Sequence, residues 1–255
     1  MSHKQIKTHD AITGSGSALK KYQAVMVGTD TFWATLYYEI CVWLAYLPGA
    51  LGLLARKLLW PRLFKQCGSG VQFAHGITLR HPGRIVLGDN VVISEYCTLD
   101  ARNPEEEVAI RLGDNVMLSN EVCLSAKGGT IEIGAHTGLG TKTTVQSTND
   151  CPTRIGTDGI IGPHCYLVAG GTYHMERLDV PTWRQGIKTD SGCHLQDNVW
   201  LGGQVTVLGN VVMEDGSVAA AGAVVTQNVA RNAIVGGVPA RQLKIREEAV
   251  PAAAD

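Results

Sequence analysis

The sequence predicts an all-β solenoid, a parallel β-helix built on a six-residue period between residues 70 and 246. Aliphatic side chains recur at Leu87, Ile93 and Leu99, at Leu112, Leu118 and Leu124, at Ile133, Leu139 and Val145, and at Ile155, Ile161 and Leu167. The cleanest run is Leu195, Leu201, Val207, Met213, Ala219 and Val225, with a small or β-branched residue four positions after each. Glycine follows the aliphatic position directly at Gly88, Gly113, Gly134, Gly156, Gly162 and Gly202. A short period with turn residues at one phase marks a solenoid, because stacked coils bury what a single coil cannot. Helices do not produce a period of six, and strands of ordinary length lose phase over such a distance. Three hexads make one triangular coil, so about six coils are expected.

Composition agrees with this architecture. The chain has 255 residues, 45% apolar and 18% charged, enough for a sizeable core and unlike a disordered chain. Thirty glycines against three phenylalanines describe many tight turns around small core side chains. A net charge of −1 argues against a nucleic acid as the main partner. The seven cysteines are widely spaced and contain no C-x-x-C pair, which argues against a disulfide scaffold and a zinc knuckle. Several fall at inward positions of the repeat, where a thiol is a small apolar filler, and a reducing cytoplasm is the simplest setting.

The chain divides into four parts. Residues 1–24 are polar, lack the apolar core of a signal peptide, and read as a mobile tail. Residues 25–69 form an apolar helical segment. Within it, residues 32–60 carry Trp33, Tyr37, Tyr38, Trp43, Tyr46 and Trp60, with only Glu39, Arg56 and Lys57 charged. Pro48-Gly49 interrupts this run, and a helix over residues 32–47 would reach roughly 24 Å, short of a bilayer core. Arg56, Lys57, Arg62 and Lys65 follow as a basic cluster. Together these read as a bent hairpin contacting the inner face of a membrane, or as a cap packed on the solenoid or a second subunit. Residues 70–246 are the solenoid, and residues 247–255 are a second tail.

The repeat breaks at residues 101–109, 147–154 and 170–188. Insertions in a solenoid map to loops, and such loops often carry function. The longest, GGTYHMERLDVPTWRQGIK, contains His174.

DNVWLGGQVTVLGNV (197–211), AAGAVVTQNV (220–229) and VGGVPARQL (235–243) resemble the hexapeptide-repeat acyltransferases, nearest to the sugar and polysaccharide O-acetyltransferases. The segment HMERLDVPTWRQG resembles the loop that polysaccharide enzymes carry before their last coils. The resemblance covers about residues 70–246. It implies a left-handed β-helix, a homotrimer, and acetyl-CoA lying between neighbouring helices as acyl donor, with no metal. It also implies transfer of an acetyl group to a sugar hydroxyl, within a lipid-linked or surface polysaccharide if the apolar segment meets a membrane.

Acyl transfer from a thioester to a hydroxyl needs a base for the hydroxyl proton and donors for the oxyanion. The resemblance assigns the base to His174, although Met175 follows it where simple sugar enzymes have proline. It assigns Trp200 to the pantetheine region, with Gly202 and Gly203 permitting close backbone approach. Ala220, Gly222 and Thr226 would line the pantetheine and adenosine end, and Arg241, with Arg246 behind it, would pair with CoA phosphates. Gln227 replaces the lysine that often follows the threonine. Arg177, Asp179 and Arg184 would hydrogen-bond the acceptor, with Asn149 and Asp150 approaching from an adjacent coil or subunit, and Asp179 or Glu176 would orient His174.

Each residue also has a plainer reading: a surface-loop histidine, a tryptophan packing on the next coil or on a second subunit, a solvated charge. Transfer to an amine or to serine uses the same scaffold, and a non-catalytic β-helix would use it for assembly. The zinc carbonic anhydrases on this scaffold need a close histidine pair that His164 and His174 do not supply.

Overall fold

The structure, a computed structural model, describes residues 13–247. The tail readings for residues 1–12 and 248–255 lie outside the described residues. From Gln66 onward the chain winds through three parallel sheets of seven, nine and seven strands. The first sheet runs from Gln66–Cys67 to Val211–Met213, the second from Gln72–Phe73 to Ala233–Gly236, and the third from Thr78–Arg80 to Val224–Val225. The second sheet ends on Arg241–Ile245, its one antiparallel strand.

The predicted inward positions form three ladders. Leu87, Leu112, Ile133, Ile155, Leu195 and Met213 pair in sequence down the first sheet. Ile93, Leu118, Leu139, Ile161, Leu201 and Ala219 stack down the second, and Leu99, Leu124, Val145, Leu167, Val207 and Val225 down the third. All are buried. Removing an aliphatic side chain of this size from water contributes about 1.5–3 kcal/mol, so the ladder is the main source of stability. Glycine after the inward position has a steric cause. A Cβ on Gly134 would sit 2.5 Å from the Gly156 carbonyl carbon, and one on Gly162 2.6 Å from that of Gly202. The coils touch backbone to backbone at this corner.

There are seven complete coils, one more than the hexad count gives, with Ala233–Gly236 opening an eighth. The additional coil is the first, Gln66 to Arg80, whose inward residues include the aromatic Phe73 and so break the aliphatic pattern.

Residues 18–24, assigned to the tail from sequence, take helical structure. Ala18–Tyr22 forms a short helix (α1), capped by Ser17, and Gln23–Val27 continues it as a π-helical turn. Gln23 is buried and donates to Thr35 Oγ1 at 2.8 Å, while His81 of the solenoid donates its N–H to the Met26 carbonyl. Polar composition concealed a segment tied down by specific hydrogen bonds.

Helices α2 (Phe32–Ala45) and α3 (Gly49–Leu59) form a hairpin broken at Pro48, as expected from sequence. One face plugs the open end of the first coil. Cys41, Ala45 and Trp60 join the solenoid core, and Phe64 stacks on Phe73 at 5.4 Å. Tyr38 donates to the Leu79 carbonyl at 2.6 Å and Trp60 Nε1 to the Cys41 carbonyl at 3.0 Å. No helix among the described residues is long and apolar enough to cross a membrane.

Candidate active site

All three breaks in the repeat fall at one corner, between the third and first sheets. Residues 101–109 leave after Thr98–Asp100, residues 149–152 after Thr144–Thr148, and the long loop after Tyr166–Ala169. Successive loops are laced together. Arg84 donates to the Asn103 carbonyl at 2.7 Å, Asn103 to the Gly129 carbonyl at 3.0 Å, and Asn149 Nδ2 to Thr189 Oγ1 at 3.1 Å. Asp190 receives the Gly170 N–H at 2.8 Å and closes the base of the long loop. Asn149 and Asp150 thus form this corner's turn, both with left-handed φ near 57°.

The long loop is an arm with a paired stem. Tyr173 and Ile187 form an antiparallel bridge, His174 donates its N–H to the Gly186 carbonyl at 3.0 Å, and Lys188 donates to that of Thr172. His174 is thereby held at a fixed height above the corner while its ring stays exposed. Its Nδ1 lies 3.4 Å from Glu176 Oε2. The other Glu176 oxygen pairs with Lys188, and the Met175 N–H donates to the carboxylate at 3.0 Å. The hydrogen bond from Lys188 holds the exposed Glu176 carboxyl down at about 2. A permanently ionised carboxylate beside Nδ1 is the arrangement that orients an imidazole and leaves Nε2 outward.

His174, Glu176, Arg177, Val180, Arg184 and Gln185 line one shallow depression. Glu176, and not Asp179, therefore neighbours the histidine. Asp179 pairs with Arg177, whose Nε donates to it at 3.1 Å, and this pair lowers the Asp179 carboxyl. Arg184 stacks its guanidinium over Trp183 at 4.8 Å. Of the acceptor residues named from sequence, Arg177 and Arg184 line the depression with His174, whereas Asp179 reaches it only through Arg177.

The residues named from sequence for the acyl donor lie elsewhere. Trp200 opens the second sheet of its coil, paired with Ile160 and Val218, and is 53% exposed. Gly202 has a structural role: a Cβ there would meet the Ala221 nitrogen at 2.6 Å. Gly203 and Gly222 face outward, where a Cβ meets nothing closer than 3.6 Å at the first and nothing within 4 Å at the second. Ala220 shares this corner, between the second and third sheets, and Thr226 follows the last strand of the third. Arg241 begins the final antiparallel strand with an exposed side chain, whereas Arg246 is used internally, donating to the Gly216 carbonyl at 2.7 Å. Within one chain, then, His174 occupies one edge of the triangular section and the Trp200 group another.

Sequence reasoning passed over two features. Lys188 closes the quoted loop of residues 170–188 and shows its role only through the folded arm. On the third sheet, buried Asp100 accepts from Arg102 Nε at 2.8 Å and Nη2 at 2.7 Å and from Arg80 Nη1 at 3.1 Å, with Lys127 Nζ at 3.8 Å. Asp100 and Arg102, two residues apart in LDAR, were a visible signal for this pair. Among the described residues no group of three or more His, Cys, Asp and Glu side chains could hold a metal ion.

No family model matches the chain. The Schizosaccharomyces pombe protein named "Putative acetyltransferase" is 36% identical over 90 residues, covering 35% of this chain and 42% of that protein. The match thus spans less than half the length of that relative. Among solved structures, AntD, an N-acyltransferase from Bacillus cereus in complex with dTDP and 3-hydroxybutyryl-CoA, is 19% identical. The likeness covers 76% of this chain and 90% of that one with a TM-score of 0.51, and at this identity it concerns the fold. A hexapeptide-repeat-containing acetyltransferase from Vibrio cholerae, complexed with acetyl-CoA, is 18% identical over 86% of this chain and 92% of its own, with a TM-score of 0.44. The chain is a six-residue-repeat β-helix, and its fold is similar to that of the N-acyltransferase AntD.

Proposed function

We propose that the protein is an acyltransferase that moves an acetyl group from acetyl-CoA to a hydroxyl of a sugar, with His174 as general base. The observation carrying this reading is the His174–Glu176 pair, held on a stiffened arm above a depression lined by Arg177 and Arg184. Nε2 of His174 takes the hydroxyl proton as the oxygen attacks the thioester carbonyl. The tetrahedral intermediate collapses with loss of the CoA thiolate, which receives that proton from the imidazolium. The polar, charged lining suits an acceptor rich in hydroxyls, and the sequence resemblance of residues 197–243 supports CoA as donor.

The same reading explains why donor and base residues occupy different edges. In a homotrimer the arm of one copy would face the Trp200 edge of the next. The outward row Met117, Gly138, Ile160, Trp200 on the second sheet supports such contact, since its three large members are exposed and apolar. A mass-spectrometric screen of sugars with acetyl-CoA tests the activity, and sedimentation the assembly. Acetyl transfer undiminished in His174→Ala would overturn the catalytic assignment, and a product stable to hydroxylamine would move the acceptor from hydroxyl to amine. The proposed location is the cytoplasmic side of a membrane, where acetyl-CoA is available.

A further inference from the structure

The α2–α3 hairpin closes one end of the solenoid, and its two faces are opposites. End caps of solenoids ordinarily turn a polar surface outward, because nothing stacks on them. Here the inward stripe of α2 is Thr35, Tyr38, Cys41 and Ala45, and the outward stripe is Phe32, Trp33, Leu36, Ile40 and Trp43, with Trp43 86% exposed. On α3 the buried positions are Gly52 and Arg56, and the exposed ones include Leu51, Leu54 and Leu58. The hairpin therefore turns a row of large apolar groups to the side that meets solvent, where Glu39 and Lys57 are the exposed charged residues.

A second observation points to what covers that face. The last carbonyls of a helix have no partner within the helix and are normally left to water. At the end of α2, Arg56 supplies those partners: its Nη1 donates to the Leu44 and Leu47 carbonyls at 2.8 Å each, and to that of Ala45 at 3.4 Å. Its Nε donates to the Phe73 carbonyl at 3.0 Å. The α2 carboxylate, Glu39, accepts from Tyr22. The turn thus needs little from water, as a segment lying in lipid requires. Trp33, Trp43 and Tyr46 are amphipathic rings of the kind that settle at headgroup depth. Exposed Lys57 and Arg62 flank the apolar face, and Lys20 sits in the last turn of α1, which Tyr22 ties to α2 through Glu39.

We propose that the outer face of this hairpin docks on an anionic phospholipid bilayer, lying within its interface without crossing it. A 14-residue helix is about 21 Å long and cannot span the hydrocarbon core. Insertion of the exposed row to headgroup depth leaves the solenoid, with the His174 arm, in water. The proposal is independent of the acyltransferase reading, because no residue of the hairpin belongs to that site.

The test is cosedimentation of the full chain with vesicles of phosphatidylcholine containing about 30% phosphatidylglycerol. The chain is expected to pellet with them, and the double variant Trp43→Glu, Leu51→Glu to bind at least about tenfold more weakly at equal lipid. Its melting temperature should match the parent, because both side chains lie on the exposed face. Should the variant fold poorly, brominated lipid supplies the same readout on the unaltered chain, quenching Trp33 and Trp43 fluorescence. Parent protein left in the supernatant, undiminished binding by the folded variant, or absence of quenching would each overturn the proposal. So would a lipid-free oligomer that the variant dissociates while neither form binds vesicles, since the face would then cover a second copy. Equal affinity for pure phosphatidylcholine would overturn the anionic specification.

Discussion

Arg56 donates its Nε–H to the Phe73 carbonyl at 3.0 Å, from a side chain only 1% exposed. One guanidinium thereby joins the first coil of the solenoid to the turn between α2 and α3. Arg56→Met keeps the apolar stem but leaves the Leu44, Leu47 and Phe73 carbonyls without this donor. The expected loss is about 2 kcal/mol, since the stranded buried Phe73 carbonyl costs about 1–3 kcal/mol, while the part-buried Leu44 and Leu47 carbonyls can turn to water. A lowered urea midpoint checks this, and a midpoint within error of the parent would refute the bracing role.

A pH dependence of stability follows from Asp100. Burial alone would raise its carboxyl, but Arg102, with Arg80 and Lys127, holds it below the ordinary aspartate value. A folded-state value below the unfolded one contributes stability that is present above the unfolded value, near pH 4, and is lost as pH falls through the folded one. Thermal unfolding between pH 7 and pH 2 should therefore show a decline in the acid range that is flatter in Asp100→Asn. At neutral pH that variant should be less stable by about 3 kcal/mol, because the nearly buried Arg102 loses the charge of Asp100 that it pairs with at two nitrogens. Parallel pH curves for variant and parent would show that another group carries the acid loss.

The inward ladders were legible because period six places each aliphatic residue of one coil directly over that of the previous one, as Ile133 over Leu112. The first coil was not, because Phe73 and Cys67 fill its inward positions with other chemistry. The breaks were visible as lost phase, yet their convergence on one corner was not. That depends on which third of a coil each interrupts, and lost phase hides the count. His174 came from resemblance, and its partnership with Glu176 needed the arm's register, since Glu176 and Asp179 are equally plausible by spacing. The separation of His174 from the Trp200 edge could not be read either, because it depends on which corner of the section each segment reaches.

The cysteines give a further test of the packed coils. Burial pushes the Cys193 thiol up to about 12 and those of Cys41, Cys67, Cys97 and Cys151 to about 11. Such thiols hold almost no thiolate near pH 8 and are shielded as well. Native protein should react slowly with a disulfide reagent, led by the half-buried Cys67 and Cys123, and all seven should react once the chain is unfolded. Rapid reaction of Cys97 or Cys193 in the native state would mean that the coils open locally.

Glu176 offers the sharpest test of the proposed chemistry, because its role is positional. Its carboxylate sits 3.4 Å from His174 Nδ1 and is anchored from the other side by Lys188. Glu176→Gln keeps the shape but removes the charge that orients the ring and stabilises the imidazolium formed during transfer. The expected result is a fall of about tenfold in kcat with the KM for acetyl-CoA unchanged, since the residues proposed to bind the donor lie on another edge. Glu176→Asp should recover part of the loss, and Lys188→Met should give a smaller one by releasing the carboxylate. His174→Ala should lose most activity, and adding Glu176→Gln to it should cost little more, because the carboxylate acts through the ring. Full additivity of the two would show that Glu176 works on the acceptor directly, and the pair would have to be reassigned.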